Sequence, residues 1–337
     1  MSRSSIGIAP RTKAGRSRCP KARAFLGVDG GGSKARAILE YGGRIVVRGD
    51  HQGLNPVDIG FKEFERRLRL LLAPLLGCLP DNRVPVYACF ALAGAGKPSI
   101  RRRCRVIILR VLRERARCGH LDVTTDAHAL LARFRGKREG IVLIAGTGSI
   151  CLGMKRQRRR TTVTRVGGLG GGLDAGSGYR MGIQLLQHAW EVGAGREGPS
   201  DSIRLFCRRR GIAIAEISKR IVPPDGLIRA AVRRGPIADL AKVVLEAYDM
   251  GDRFSAMVVE ESVSSHIDMI VAVKERAGLS SRVPVVASGG LLASQSMRRL
   301  LRKRLKRALP EASLSVVTEP LLDILGIAKA SDRSSAR

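Results

Sequence analysis

A short glycine-rich segment contains the residue types that phosphate chemistry requires. Asp29 ends the first apolar run of the stretch 25–39, FLGVDGGGSKARAIL. The turn that follows contains Gly30, Gly31, Gly32, Ser33 and Lys34. Glycines permit sharp turns and bring backbone N–H groups close to a phosphate, and a carboxylate at such a turn suits hydrated Mg²⁺. The pattern predicts a strand–loop–strand phosphate cradle with Asp29 as the candidate metal ligand.

Simpler interpretations of this segment have to be weighed. It is not a P-loop, because the sequence contains no GxxxxGK[ST] pattern. A dinucleotide fingerprint opens a helix, whereas Lys34 to Glu40 has the pattern of a returning strand. Taken alone, the segment could be a plain hairpin loop.

A second, similar element strengthens the phosphate interpretation. The stretch 140–154, GIVLIAGTGSICLGM, is again a strand, a glycine turn and a strand. Its turn contains Gly146, Thr147, Gly148 and Ser149. A third glycine turn in 283–292, VPVVASGGLL, contains Ser288, Gly289 and Gly290 and leads into a helix. The repetition predicts two related lobes that face a shared cleft, each hairpin offering N–H and hydroxyl groups to one end of a polyphosphate.

Length and composition fit a two-domain globular protein. The chain has 337 residues, is 44% hydrophobic, and contains no apolar run of the roughly 18 residues that a membrane span needs. Its net charge of +32 raises nucleic-acid binding as an alternative. However, only 4% of residues are aromatic and no recognition motif is visible. We therefore expect a solvated basic surface, with no specific nucleic-acid partner and no membrane.

Cysteine usage and the chain ends bear on location. The seven cysteines are scattered without any CxxC pair, which favours reduced thiols in the cytoplasm. Residues 1–22 contain no acid and are rich in Ser, Arg and Gly, so we expect a disordered basic tail. A cleaved transit peptide has the same composition, and the sequence leaves that alternative open.

Strands and helices alternate along the rest of the chain, which predicts an α/β fold. An N-terminal lobe is predicted for 23–135, a C-terminal lobe with a helical insertion for 136–331, and a frayed tail for 332–337. Strands are predicted at 24–29, 34–40, 44–49, 84–92, 121–125, 141–146, 149–154, 161–166, 283–287 and 313–317. Helices are predicted at 57–76, 99–116, 127–134, within the mostly helical block 177–276, and at 294–308 and 320–330.

Five motifs in this order resemble the BadF/BadG/BcrA/BcrD ATPase family, and within it the N-acetylglucosamine and glucosamine kinases. They are the first glycine hairpin at 25–39, GLNP at 53–56, VTTDAHALL at 123–131, the second glycine hairpin at 140–154 and VVASGGLL at 285–292. The superfamily includes actin, hexokinase and the heat-shock chaperone ATPases. The resemblance spans about residues 24 to 330 and implies two ribonuclease H-like, actin-like ATPase lobes with a nucleotide cleft.

The resemblance implies an ATP-dependent phosphotransferase that uses Mg²⁺ and acts on a hydroxyl of an amino sugar, N-acetylglucosamine or glucosamine. The segment 123–131 then makes Asp126 the candidate catalytic base, which takes the proton of the attacking sugar hydroxyl. Because Asp126 follows a strand and begins a helix, it could instead be a helix N-cap.

Residues on the acceptor side are implied by the same resemblance, with departures. Asn55 in GLNP is the candidate sugar ligand, although it could be an ordinary Asn-Pro turn. The family's GGWGxxLGDEGSG loop matches GGLGGGLDAGSG at 167–178, where Gly168 and Asp174 are candidate substrate ligands. This chain has Leu169 and Ala175 where the family has Trp and Glu, lacks a Gly before Asp174, and carries Asp323 where the family usually has Gly.

Two other functions remain alternatives at this point. The dehydratase and benzoyl-CoA reductase activators of the family bind an iron–sulfur cluster through cysteines, and no credible ligand pair is visible here. A sugar-sensing homologue without kinase activity would keep the hairpins and lose the acceptor loop. A homodimer is a further possibility that the sequence leaves open.

Overall fold

The computed structural model describes residues 23–158, 160–170, 172–217 and 234–335. The described residues divide into two compact units, one within 1–133 and 319–337 and the other within 134–318. The predicted tail 1–22 and the last two residues lie outside the described residues. None of the helices in the described ranges is long and apolar enough to cross a membrane.

The first unit is a five-stranded sheet with helices. Its strands are β1 (Ala24–Gly30), β2 (Lys34–Tyr41), β3 (Arg44–Gln52), β4 (Pro85–Leu92) and β5 (Arg117–Thr124). Its helices are α1 (Pro56–Leu76), α2 (Pro98–Arg113), α3 (Asp126–Leu130) and α10 (Leu321–Ser335), and a 3-10 turn (Leu131–Phe134) follows α3. The strand order is β3-β2-β1-β4-β5. Strands β1, β2 and β3 pair antiparallel, whereas β1, β4 and β5 are parallel neighbours.

The apolar periodicity of the sequence explains how this sheet is covered. In α1, Phe64, Leu68, Leu71, Leu72 and Leu75 recur at helical spacing and are all buried. These side chains join the core that contains the inward-facing residues of the strands. Because a fully covered parallel strand needs no polar face, β1 and β4 are nearly continuous apolar runs.

The second unit repeats the same strand arrangement. Its strands are β6 (Glu139–Ala145), β7 (Ser149–Gln157), β8 (Arg160–Gly167), β9 (Pro284–Ser288) and β10 (Ser313–Val317), in the order β10-β9-β6-β7-β8. Its α-helices are α4 (Gly178–Gly193), α5 (Asp201–Arg210), α6 (Arg234–Asp239), α7 (Ala241–Asp249), α8 (Arg253–Ala277) and α9 (Gln295–Ala308). Short 3-10 turns occupy Ile214–Glu216 and Gly290–Ala293. The fold is thus an α/β fold built from two sheets of matching topology.

Most of the predicted elements lie within a few residues of the observed ones. Helix α10 is the main difference, because it packs on β1 and β4 of the first unit, whereas the sequence analysis placed 136–331 in one lobe. Ile324 and Ala328 of α10 are buried against Cys89 and Ala91 of β4. The helix continues to Ser335, so 332–335 is helical rather than frayed. Alternation of strands and helices along the chain does not show which sheet the last helix covers.

Candidate active site

Three parallel strands bring the candidate site residues of the first unit to one edge of its sheet. The strands β1, β4 and β5 are parallel and end at Gly30, Leu92 and Thr124. The carboxyl ends of parallel strands meet at the same edge, where ligands bind in open α/β sheets. The segments at this edge therefore place the glycine hairpin, Gly94 and Asp126 near one another.

The first glycine hairpin is closed by its own backbone and by the loop after β3. The Gly31 N–H donates to the Lys34 carbonyl at 2.9 Å, and the N–H groups of Gly53 and Leu54 donate to Ser33 and Gly31 at 3.0 Å. A methyl group on Gly53 would lie 1.9 Å from the Gly32 carbonyl oxygen. Glycine at position 53 is therefore required for the loop to close over the hairpin.

Asp29 is held at the start of the hairpin by a cross-strand partner. A guanidinium nitrogen of Arg36 lies 3.2 Å from a carboxylate oxygen of Asp29. Burial raises the pKa of Asp29 above its usual value, although Arg36 opposes this rise. The sequence analysis did not select Arg36. It could have been found by counting residues outward from the turn, because the hairpin register pairs position 29 with position 36.

Asp126 is not the capping residue of the helix that it begins. The N-cap of α3 is Thr125, whose hydroxyl oxygen accepts from the His128 N–H at 3.2 Å. The Asp126 carboxylate accepts from the adjacent Ala127 N–H at 2.8 Å and also interacts with its own backbone N–H. Burial, and secondarily the negative charge of Asp29, raise the pKa of Asp126 to about 6. This is the range expected of a catalytic carboxylate rather than of a surface cap.

Both polar atoms of the Asn55 side-chain amide, the candidate sugar ligand, form hydrogen bonds within the protein. Asn55 is the N-cap of α1, and its side-chain oxygen accepts from the Val57 N–H at 3.1 Å. Its amide nitrogen donates to Asp58 at 2.7 Å. A methyl group on Gly94 would lie 2.0 Å from the Asn55 side-chain oxygen, so Asn55 is tightly enclosed. The exposed polar group of this loop is Asp58, which the sequence analysis did not select.

The second glycine hairpin is fixed by main-chain contacts with the start of α4. The Gly146 N–H closes the turn on the Gly148 carbonyl at 2.9 Å. The carbonyls of Gly146 and Thr147 accept from the N–H groups of Gly178 and Tyr179, at 2.8 and 3.2 Å. The turn residues 146–148 are partly exposed, and the first N–H groups of α4 hold this turn in place.

Several predicted ligands of the second unit instead maintain its loops. Asp174 is buried, and its carboxylate accepts from the N–H groups of Leu169 at 2.6 Å and Gly170 at 3.2 Å. The hydroxyl of Ser149 is buried and donates to the Ala175 carbonyl. The Gly168 N–H donates to the Ser149 carbonyl at 2.7 Å. These contacts link the hairpin to Gly168 and Ala175, and link Asp174 to Leu169 and Gly170.

The glycine turn after β9 is equally constrained. The Ser288 hydroxyl is buried and donates to the Val317 carbonyl at 2.7 Å. Gly289 has a φ of +120°, and a methyl group there would lie 2.2 Å from the Ala145 carbonyl oxygen. Gly290, by contrast, has open space around its Cα. Of the three predicted residues, Ser288 and Gly289 hold the strands together and Gly290 is the accessible one.

The donor set of the first unit fits a hard cation that also binds a substrate. Mg²⁺ typically uses one or two carboxylates together with phosphate oxygens and waters. Asp29 supplies one such carboxylate beside the glycine hairpin, and the negative charge of Asp126 lies close enough to interact with it. Across the described ranges, no three His, Cys, Asp or Glu side chains are grouped to hold a metal ion by themselves.

Comparison with known proteins identifies the class to which this fold and site belong. A structure from Chromobacterium violaceum, described as a candidate N-acetylglucosamine kinase, superimposes with a TM-score of 0.68 at 19% identity, covering 92% of this chain and all of that one. The fold is thus an actin-like ATPase fold, as the sequence predicts. Residues 26–323 match the BadF/BadG/BcrA/BcrD ATPase family, and the chain belongs to that family.

Two characterised relatives are similar over most of their length. The N-acetylmuramic acid/N-acetylglucosamine kinase of Clostridium acetobutylicum is 30% identical over 276 residues, which cover 79% of this chain and 84% of the relative. The N-acetyl-D-glucosamine kinase of Dictyostelium discoideum is 24% identical over 314 residues, which cover 86% and 92%.

Proposed function

We propose that this protein is an ATP-dependent sugar kinase that transfers the γ-phosphate to a hydroxyl of an amino sugar, N-acetylglucosamine or glucosamine. The proposal rests mainly on the local environment and the raised pKa of Asp126. This carboxylate leaves the capping of α3 to Thr125, and its pKa is raised to about 6. A group of that pKa is ionised at neutral pH and still basic enough to accept a proton.

The relatives support the same reaction class. Both are named as kinases, and N-acetylglucosamine is the sugar common to their names. The family to which this chain belongs is a family of ATPases. A sugar hydroxyl is a weak nucleophile, so a kinase of this kind needs a positioned base and a means of stabilising charge on the phosphates.

The residues of the first unit are suited to the proton transfer. Asp126 accepts the proton of the attacking hydroxyl as the oxygen approaches phosphorus. Asp29 holds Mg²⁺, which neutralises phosphate charge when bound. The backbone N–H groups of the hairpin at 30–33 bind phosphate oxygens. Asp58, positioned by Asn55 at 2.7 Å, presents a carboxylate to a sugar hydroxyl or ammonium.

The residues of the second unit are suited to binding and orientation. The partly exposed turn 146–148, which α4 holds by two main-chain hydrogen bonds, presents its own backbone to a phosphate. Asp174 fixes the loop that contains Gly168, so that its backbone can contact the acceptor in a defined conformation. Gly290 leaves room for the adenosine moiety close to the backbone.

An iron–sulfur activator ATPase is less well supported by the cysteines. Cluster ligation requires thiolates. Cys89 and Cys151 are buried among apolar side chains, and burial raises the pKa of both thiols, that of Cys89 to about 12. These two cysteines therefore behave as small core residues.

The test is a coupled assay of ADP formation with a panel of acceptors. We expect turnover that depends on added N-acetylglucosamine or glucosamine, and a phosphorylated sugar detected by mass spectrometry. Glucose and N-acetylmuramic acid define the acceptor range. Asp126→Asn protein, purified in parallel, controls for contaminating kinases. Sugar binding without any phosphorylated product would identify a sensor and overturn the proposal.

A further inference from the structure

Arg36 is placed opposite Asp29 by the geometry of the first hairpin. The antiparallel register of β1 and β2 pairs position 29 directly with position 36. Side chains of directly opposed residues point to the same face of a sheet and are close enough to interact. The guanidinium accordingly lies 3.2 Å from the Asp29 carboxylate, and the two side chains are 35% and 17% exposed.

The positive charge of Arg36 compensates the negative charge of the Asp29 carboxylate. Asp29 is partly buried and lies close enough to Asp126 for the two charges to repel. Two carboxylates in a weakly solvated position need a nearby cation. The Arg36 guanidinium, 3.2 Å from the Asp29 carboxylate, is the cation paired with it.

Mg²⁺ and the Arg36 guanidinium would therefore use the same carboxylate. A metal ion bound at Asp29 repels a guanidinium at hydrogen-bond distance, and a carboxylate oxygen at 3.2 Å from Arg36 is not fully available to a cation. We propose that Arg36 is an internal counter-ion of Asp29, which a divalent cation must displace when the nucleotide binds. The inference rests on the proposed kinase function, because that function places the metal at Asp29.

Displacement of Arg36 has a functional consequence. The counter-ion weakens the binding of a metal ion by itself, so the site fills when the phosphates of the nucleotide add their own charge. The protein thereby selects the metal–nucleotide complex over the free cation. A different role, direct binding of phosphate by Arg36, would have the opposite effect on substitution, because a lost arginine would then weaken binding of the complex.

The experiment measures binding of Mn²⁺ by electron paramagnetic resonance, in the presence and absence of ADP, without any turnover. Arg36→Gln should bind free Mn²⁺ about three- to tenfold more tightly than the unsubstituted protein, the range that a partly exposed ion pair and the lost repulsion allow. It should also bind Mn²⁺·ADP more tightly, by a smaller factor, because the phosphates then supply part of the compensating charge. Arg36→Lys should also bind more tightly, by less, because an ammonium makes one contact instead of a fork and is strongly hydrated.

Arg133→Gln is the matched control. Arg133 pairs with Asp323 at 2.9 Å in the same unit, with side-chain exposures of 40% and 17%, and Asp323 has no proposed metal role. This variant should leave Mn²⁺·ADP affinity unchanged. Unchanged or weaker Mn²⁺ binding in folded Arg36→Gln and Arg36→Lys would overturn the inference, and weaker binding would make Arg36 a phosphate ligand.

The same data separate this inference from the proposed function. If the unsubstituted protein binds no Mn²⁺·ADP at all, the kinase proposal fails together with the inference. If it binds the complex and the Arg36 variants bind it equally well, the counter-ion role alone is wrong. Melting temperatures of each variant establish that folded protein is compared in every titration.

Discussion

The two glycine hairpins have the same topology and different chemistry. Each belongs to a five-stranded sheet with three antiparallel-paired strands and two further parallel strands. In the first unit, the edge of the sheet carries Asp29 and Asp126, both with a raised pKa. In the second unit, the acid next to the hairpin is Asp174, which lies in the loop after β8. Its carboxylate accepts hydrogen bonds from the N–H groups of Leu169 and Gly170.

The difference suits the two carboxylates to different roles, one in acid–base chemistry and the other in holding a loop. A carboxylate that accepts N–H groups from residues four and five positions away holds a loop in place. A carboxylate whose main-chain contacts are confined to its own and the adjacent residue, and whose pKa is raised, is suited to acid–base work. Under the proposed function, the first unit would therefore supply the reacting group, and the second unit would supply a surface of backbone groups.

Asp126→Asn and Asp174→Asn, one in each repeat, should give unequal kinetic effects. Asp126→Asn should lower kcat by about 10²–10⁴-fold, the usual contribution of a general base, with ADP affinity nearly unchanged. Asp174→Asn should lower kcat by less than about tenfold and raise KM for the sugar, because the loop loses an acceptor. Steady-state kinetics with both substrates varied measures these effects.

Asp122→Asn provides the control for this pair. Asp122 lies on β5, the strand that leads to Asp126, and its carboxylate accepts from the Ser331 hydroxyl at 2.7 Å. Its substitution should leave kcat close to that of the unsubstituted protein. A large kcat loss in Asp174→Asn with a small loss in Asp126→Asn would reverse the proposed division.

Replacing glycines that lie against backbone should lower the free energy of unfolding in both repeats. Gly289→Ala and Gly53→Ala would place a methyl group 2.2 Å and 1.9 Å from a carbonyl oxygen. Each should lower the free energy of unfolding by about 1–3 kcal/mol or more, since backbone must shift and Gly289 also has a φ of +120°. Urea denaturation measures the loss. Gly290→Ala has open space and should cost less than about 1 kcal/mol, so an equal loss there would contradict the packing argument.

The sequence contained enough information for the elements and the family, and for part of the site. Apolar runs interrupted by glycine and hydroxyl residues predicted both hairpins, because those runs are buried on both faces of each sheet. Asp126 was selected because VTTDAHALL at 123–131 resembles a segment of the family, whereas its place between a strand end and a helix start would by itself also fit an N-cap. The pairing of Arg36 with Asp29 is also a local feature, but it can be predicted only by working out which residues face each other across the hairpin.

Other parts of the site depend on contacts between distant segments. The carboxylate of Asp174 and the hydroxyl of Ser149 look like ligands in the sequence, but each bonds to backbone that tertiary folding brings to it. The Ser288 hydroxyl bonds to Val317 for the same reason. The placement of α10 on the first sheet likewise depends on long-range packing, which the order of elements does not specify.

Asn55 should contribute modestly, through the loop that it holds. Asn55→Ala removes the N-cap of α1 and the partner of Asp58, so we expect a loss of about 1 kcal/mol in stability and a higher KM for the sugar. Asn55→Asp retains the cap and places a second carboxylate beside Asp58. A KM that rises in Asn55→Ala without any change in stability would indicate direct sugar contact instead.

The raised pKa of Asp126 also predicts a stability effect of opposite sign to the kinetic one. A folded-state pKa of about 6 exceeds the value in the unfolded chain, so the folded state binds the proton more tightly. The contribution of Asp126 to stability is therefore favourable at low pH and is lost as the pH rises from about 4 to about 6. Asp126→Asn should raise the melting temperature at pH 7.5 and change it little at pH 4. A lower melting temperature at pH 7.5 would indicate that the carboxylate stabilises the fold.

The most direct test of the central claim is the pH dependence of kcat/KM for the unsubstituted protein and for Asp126→Asn. If Asp126 is the base, activity of the unsubstituted protein should fall about tenfold per pH unit below a pKa near 6. The residual activity of Asp126→Asn should lack that limb between pH 5 and pH 7. The same acid limb in both proteins would show that another group carries the proton and would contradict the assignment of the chemistry to the first repeat.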